Sequence, residues 1–506
     1  MYKKELLRVT PESEGISSAR LLEMIRRMEA CDRTEMHGIM IARHGHVVAE
    51  GWWAPYTKDT VHICHSFGKS YVATAIGLAC TDGLISVEDR LVDLFAEELA
   101  EMKIPLTDNL KKLRIKHVLS MTNGMSVHAM TGANTVSNYF HCDVDSEPGT
   151  VFKYNTAGSC MLGAIVQKVT GQTVRDYLTP RIFEKIGLEC DKLGWMSFAN
   201  GLNAAPGVAS TTENNLRLGM LWLNGGKWDG EQLIDPEWMR MATTCQINNE
   251  NSGESCIDGR SGYGYQLWMD RVPGVYRFDG GHGQVSIMSP KDDLVISIHQ
   301  AGSMPSGTTE IADILHEYFL TENLPDGPLP EDPEALAELR AFLGSLALPA
   351  PKSRPLPEDY ESWNGIYHVT EGHFHLNTEL RPFDTVNVYE DFHTRKDVNI
   401  HMLSLRFRSK QVLELVADDR LFEVRMDGRT VPIYTPSDLP NYNQTCSSGY
   451  FDESGALVIH TRYYQTCFRT RLRIERTREG IDIESRKTTL HDDHPYFTEY
   501  VKAKRI

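Results

Sequence analysis

The stretch His65-Ser66-Phe67-Gly68-Lys69-Ser70 leads into Tyr71-Val72-Ala73-Thr74-Ala75-Ile76-Gly77-Leu78-Ala79, and Gly83 follows where such a run would end. Phe67, Tyr71, Val72, Ala75, Ile76 and Ala79 recur at spacings of three and four, which predicts a helix over about 66–81 with a core-facing side. Ser66 would stand at its N-terminus, where backbone N–H groups and the positive end of the helix dipole point at it. Lys69 lies one turn on and reaches the same face. A lysine held in an apolar pocket loses hydration, its pKa falls, and its amine can take a serine proton. The four letters also read as a helix cap followed by a solvated lysine, so other stretches must decide.

Two stretches bear on the choice. Phe152-Lys153-Tyr154-Asn155-Thr156-Ala157-Gly158 precedes a helical run over 156–170 and puts a tyrosine at the helix entrance. A phenol near an ammonium is pushed toward phenolate and can pass a proton to a leaving group. The plainer reading of Tyr154 is a buried tyrosine with a satisfied hydroxyl. Phe278-Asp279-Gly280-Gly281-His282-Gly283-Gln284 lies between two strand-like runs. Adjacent glycines let backbone approach a ligand, and a strand N–H can serve an oxyanion. A tight hairpin turn is the competing reading.

The 506 residues exceed one ordinary domain, and 41% hydrophobic with 24% charged residues is a globular composition. A net charge of −17 argues against nucleic acid or an anionic membrane as partner. The start, Met1-Tyr2-Lys3-Lys4-Glu5, has no apolar core of the secretory kind, and no apolar run nears the roughly 20 residues that span a bilayer. The ten cysteines show no CxxC or zinc spacing and read as free thiols, many of them buried, of a cytoplasmic protein. No metal or cofactor is expected.

Along the chain, 16–31 reads as a helix, and 38–42 with 46–53 as a hairpin about Arg43-His44-Gly45. Residues 115–121 form a helical turn, 125–150 read as loop, and 211–224 as a helix. Strands are expected near 274–278, 285–288 and 294–298, and a helix over 308–320. Pro325, Pro328, Pro330 and Pro333, a short helix, then Pro349, Pro351, Pro355 and Pro357 mark 324–358 as a linker. Beyond it nearly every segment alternates, as in Gln411–Val416 and Cys467–Ile474, which predicts an antiparallel sheet closed into a barrel or packed as a sandwich. The fold class is α+β: a first domain of helices and antiparallel strands over 1–323, the linker, and an antiparallel β-barrel or sandwich over 359–506.

Ser66-Phe67-Gly68-Lys69, Tyr154-Asn155-Thr156 and Asp279-Gly280-Gly281-His282-Gly283-Gln284 occur in an order that resembles the serine β-lactamase-like superfamily. The resemblance covers about 10–322 and points to the branch of class C β-lactamases, DD-peptidases, D-aminopeptidases, family VIII esterases and 6-aminohexanoate-dimer hydrolases. Leu119–Gly124, Gly207–Thr212 and Gly262-Tyr263-Gly264-Tyr265-Gln266 support it. It implies an antiparallel sheet flanked by helices. It also implies Ser66 as nucleophile, Lys69 as base, Tyr154 as proton shuttle, and the N–H groups of Ser66 and Gly281 as oxyanion hole. His282, Thr156, Phe278, Tyr265 and Gln284 are candidate substrate contacts, with Trp268 a further pocket wall.

Two positions depart from the family pattern. Phe278 replaces the lysine of the Lys-Thr-Gly strand, and Thr156 stands where the second motif usually has asparagine. Both changes weaken a β-lactam or peptidoglycan reading. The expectation is therefore a serine hydrolase for a small ester or amide. The alternatives are a D-aminopeptidase, DD-peptidase or β-lactamase-type amidase, and a catalytically silent binding protein. The C-terminal region resembles the lipocalin-like barrel of some relatives, where it can bind a ligand, form a homo-oligomer or lend a loop to the site.

Overall fold

Period-two alternation in two neighbouring strands divides the first domain between two cores. In the strand Thr34–Arg43, Ile39 and Ile41 face one core while Met40 and Ala42 face the other. In Leu294–Gly302, Ile296 and Ile298 join the first core and Val295 the second. The computed structural model describes residues 5–252, 257–302, 307–373, 400–435, 444–489 and 497–506.

The main sheet runs, from one edge, through strands 46–52, 34–43, 294–302, 284–289, 276–280 and 268–269. All its pairings are antiparallel. Helices Ser18–Glu29 and Gly307–Leu315 supply Leu21, Ile25, Met28 and Ile311 to one face. Thr212–Leu223 and Gly68–Thr81 pack on the other. A small sheet orders strands 62–65, 203–210 and 194–197. The α+β arrangement of an antiparallel sheet flanked by helices is thus as expected.

Three local expectations change. The helix 68–81 is buried without a break from Gly68 to Ala79, not on one side only, because it runs between the sheet and a helical layer. Residues 125–150 contain a helix, Thr135–Phe140, that buries Tyr139 and Phe140. At six residues it is too short for apolar spacing to announce it. The proline-rich segment is more than a tether: its helix Pro333–Ser345, capped by Asp332, buries Leu339 in the core of the first domain.

Beyond it the strands 420–425, 412–417, 402–409, 365–371, 497–505, 480–488, 469–476, 457–463 and 444–451 pair in that order. A parallel pairing, Val424 with Ser447 and Arg425 with Ser448, joins the last to the first. That closure makes a nine-strand barrel rather than a sandwich. Its lumen holds Leu403, Leu405, Leu413, Phe422, Ile459, Leu472 and Ile483. The expected strand 467–474 begins later, at Arg469, so Cys467 and Phe468 belong to the turn before it.

Among the described residues no helix is long and apolar enough to cross a membrane. Cys64, Cys160, Cys446 and Cys467 are free buried thiols, and Cys245 is free and exposed. Cys256 lies outside the described residues.

Candidate active site

The strand His62–His65 ends in a left-handed residue, His65 with φ +49°, and the chain turns there into the helix Gly68–Thr81. Lys69 N–H donates to the Ser66 carbonyl at 3.0 Å and Ser70 N–H to Phe67 at 3.0 Å, so Ser66 sits in the opening turn as expected. Gly68 is required: a Cβ there would collide with the Ala205 carbonyl. Ser66 is half-buried.

Lys69 is only 1% exposed, and its Nζ lies 2.8 Å from Ser66 Oγ and 4.9 Å from the centroid of the Tyr154 ring. Burial lowers its pKa from 10.5 to about 7, and the Cys160 thiol offsets this only in part. At neutral pH a substantial fraction of the amine is therefore unprotonated and free to accept the Ser66 proton.

Tyr154 is half-buried and stacks on Trp268 at 5.5 Å with 18° between the rings. Tyr263 meets it edge-on at 6.4 Å. Asn155 explains why the chain turns here. Its Oδ1 accepts the Gly158 N–H at 2.9 Å and caps the helix Thr156–Thr170. Thr156 is the half-exposed first residue of that helix.

The third stretch arrives on the strand Tyr276–Gly280. Gly280 lies against the Cys64 carbonyl, with room for no side chain, and Gly281 lies beside the His65 ring. The backbone of Gly281 is thereby placed next to the segment that presents Ser66. His282 takes φ +65°, is 5% exposed, and shares a hydrogen bond between Nδ1 and the Gly302 carbonyl at 3.0 Å. Burial lowers its pKa to about 4, so its ring is neutral at physiological pH.

Three expected substrate contacts are corrected. Phe278 is fully buried between Phe67 (5.3 Å) and Trp222 (5.2 Å), so no ligand reaches it. Tyr265 turns its buried ring toward Trp238 and joins the core. Gln284 spends its amide inside the sheet, donating to the Gln300 carbonyl at 2.6 Å and accepting the Gln300 N–H at 3.4 Å. Trp268 is half-buried and stacks against Tyr154.

Gln266 is a residue that sequence reasoning passed over, although the supporting Gly262–Gln266 match contained it. It is 2% exposed at φ +57°. Its Nε2 donates to the carbonyls of Val118 (3.1 Å) and Leu119 (2.9 Å), and its Oε1 accepts the Ser159 hydroxyl at 2.6 Å. Its own carbonyl accepts the Ser70 hydroxyl at 2.9 Å. One side chain and one carbonyl thus tie the Lys69 helix, the helix behind Tyr154 and the segment Ile115–Leu119 together.

The chain is similar to known proteins over this same region. It is 23% identical over 307 residues to the 6-aminohexanoate-dimer hydrolase of Paenarthrobacter ureafaciens, covering 55% of this chain and 75% of that one. Penicillin-binding protein 4 of Amycolatopsis lactamdurans is 26% identical over 147 residues, 28% of this chain and 38% of that one. Among solved structures, a penicillin-binding protein homologue from Caulobacter crescentus superposes with a TM-score of 0.50 at 15% identity, over 62% of this chain and all of its own. The model of the Beta-lactamase family matches residues 26–316, and with more than half of its length so matched the chain belongs to that family of β-lactamase-fold hydrolases.

Proposed function

We propose that the protein is a serine hydrolase that cleaves an ester or amide bond through an acyl-enzyme on Ser66. The observation that carries this reading is the 2.8 Å contact between Ser66 Oγ and a buried Lys69 amine whose pKa lies near 7. Ser66 Oγ attacks the carbonyl carbon as its proton passes to Lys69 Nζ. The N–H groups of Ser66 and Gly281 stabilise the oxyanion of the tetrahedral intermediate. As that intermediate collapses, the bond to the leaving group breaks and the Tyr154 phenol supplies the leaving group's proton. Water then cleaves the acyl ester, and Lys69 and Tyr154 move its proton in the reverse sense.

The substrate class follows from the departures. With Phe278 in the core, the strand offers no cation at the position where the family pattern has one, so a substrate carboxylate finds no partner there. This supports short esters and linear amides over β-lactams. A relative named for hydrolysing the 6-aminohexanoate dimer points the same way.

The test is labelling with a fluorophosphonate probe. Wild-type protein is expected to take up one probe at Ser66 and Ser66→Ala none. Labelling that survives the substitution would overturn the assignment.

A further inference from the structure

Each backbone group assigned to the oxyanion has a histidine as its chain neighbour. His65 precedes Ser66, and His282 follows Gly281. Both rings are buried and lie 5.6 Å apart. Both also meet one side chain of the second domain. Phe468 lies edge-to-face with His65 at 5.9 Å and 79°, and with His282 at 5.4 Å and 83°. The neighbouring Cys467 places Sγ 3.4 Å from His65 Nε2.

These residues lie on the turn between barrel strands Leu457–Tyr463 and Arg469–Arg476. The turn is anchored to the segment that carries the nucleophile. Ile63 N–H donates to the Gln465 carbonyl at 2.8 Å, which adds the turn to the strand His62–His65. The Tyr464 hydroxyl donates to the Pro55 carbonyl at 2.8 Å and lies 2.6 Å from Thr60 Oγ1. At the root of the turn Arg462 forms a two-pronged ion pair with Glu35 of the main sheet, both groups largely buried. The turn is also stiff: Phe468 N–H donates to Thr466 Oγ1 at 2.9 Å, and Tyr463 N–H to the Phe468 carbonyl at 3.0 Å.

His65 and His282 both hold left-handed backbone, at φ +49° and +65°. Non-glycine residues keep such conformations only where their surroundings over-determine them. Here those surroundings include a neighbouring domain. An oxyanion donor is worth about 10²- to 10³-fold in rate only when it is aimed, and a displacement of about 1 Å can cost about 10²-fold.

We propose that Phe468 and Cys467 of the barrel are positioning residues for the oxyanion hole, holding His65 and His282 and through them the N–H groups of Ser66 and Gly281. The proposal rests on the serine hydrolase reading above. The barrel is then part of the catalytic unit, not an appendage.

The experiment compares full-length wild type with Phe468→Ala, Phe468→Leu and Cys467→Ala. The readouts are the second-order rate and end-point stoichiometry of fluorophosphonate labelling, and kcat and KM for p-nitrophenyl butyrate against pH. The expected result for Phe468→Ala is a labelling rate and kcat per labelled site lowered about 10- to 100-fold, with KM within about 3-fold of wild type. The end point stays at one probe per chain, and the pH midpoint of kcat/KM stays put because Lys69 is undisturbed. Phe468→Leu, which keeps bulk without the ring edge, and Cys467→Ala, which removes one sulfur, fall between. Unchanged rates per labelled site in all three variants, a loss confined to KM, or a moved pH midpoint would overturn the clamp. Wild-type protein that takes no label at Ser66 would overturn the hydrolase reading itself, which keeps the two failures distinct.

Discussion

Gly280 packs so closely on Cys64 that a Cβ at 280 would run into the Cys64 carbonyl oxygen and come within 3.1 Å of the Phe67 N–H nitrogen. The strand that carries Gly280 and the turn that carries Ser66 are thus in backbone contact on either side of Ser66. Gly280→Ala must push them apart. It is expected to lower the labelling rate at Ser66 by at least about 10²-fold, as displaced oxyanion donors do. Gly344→Ala, in the helix Pro333–Ser345 with nothing within 4 Å of the added carbon, is the control for a glycine lost elsewhere and should leave the rate unchanged.

On the proposed mechanism, Lys69 is expected to set the pH dependence. With its pKa near 7, the neutral amine and therefore kcat/KM should rise with pH through a midpoint close to 7. A profile flat from pH 5.5 to 8.5 would count against Lys69 as base. The same burial bears on stability. Between about 7 and 10.5 the unfolded chain binds a proton that the folded chain lacks, so this group makes the fold more stable as pH rises through that window. Keeping the amine neutral costs on the order of 5 kcal/mol at pH 7. Lys69→Met should therefore raise the melting temperature at pH 7 while abolishing labelling, with the difference from wild type shrinking toward pH 10.

Tyr154→Phe removes the hydroxyl and keeps the stack on Trp268. The fold should survive, with a melting temperature close to wild type. Ester turnover is expected to fall about 10²- to 10⁴-fold, the range of a lost general acid, and to fall less for substrates whose leaving group needs no proton. Comparing p-nitrophenyl with alkyl esters of one acid measures that difference.

Gln266→Ala removes three buried side-chain hydrogen bonds, to the Ser159 hydroxyl and to the carbonyls of Val118 and Leu119, and leaves those groups their longer or backbone contacts with the Asn155 carbonyl, the Met121 N–H and the residue-266 N–H. A cost of about 3 kcal/mol is expected, read as a lower midpoint in urea denaturation. Gln266→Glu should be at least as damaging, since a carboxylate cannot donate to those carbonyls.

Nitrocefin should be a poor substrate, because the Phe278 position supplies no cation and is sealed between Phe67 and Trp222. Phe278→Lys should not restore turnover and should destabilise the protein, since it puts a charge into an apolar core. Efficient Ser66-dependent hydrolysis of nitrocefin by the wild type would reverse this view of the substrate.

Much of this was legible in the residues themselves. Helical spacing after Ser66, the helical run over 156–170, and alternation beyond 360 depend on near neighbours in the chain, so they fix local structure without knowledge of the fold. The order of the stretches around Ser66, Tyr154 and Gly280-Gly281 pointed to the β-lactamase-like family for the same reason, since each stretch carries its own backbone requirement, and the family match over residues 26–316 bears that out. What failed was the choice of side chains lining the pocket. Phe278, Tyr265 and Gln284 sit within or beside motif stretches, and only packing shows that their side chains point into the core or the sheet.

Tertiary structure alone decided the rest. The pKa of Lys69 is a property of its burial, which no spacing of letters records. Closure of the barrel depends on a pairing between residues 424–425 and 447–448, which alternation within each strand cannot specify. The contact of Phe468 with His65 and His282 spans some 400 and 190 positions of the chain, and nothing in the stretches around the two histidines points to residue 468. Local sequence determined which backbone elements form and which of them carry reactive groups. Burial and long-range contact determined how acidic those groups are and what holds them in place, because both depend on the atoms that folding brings around them.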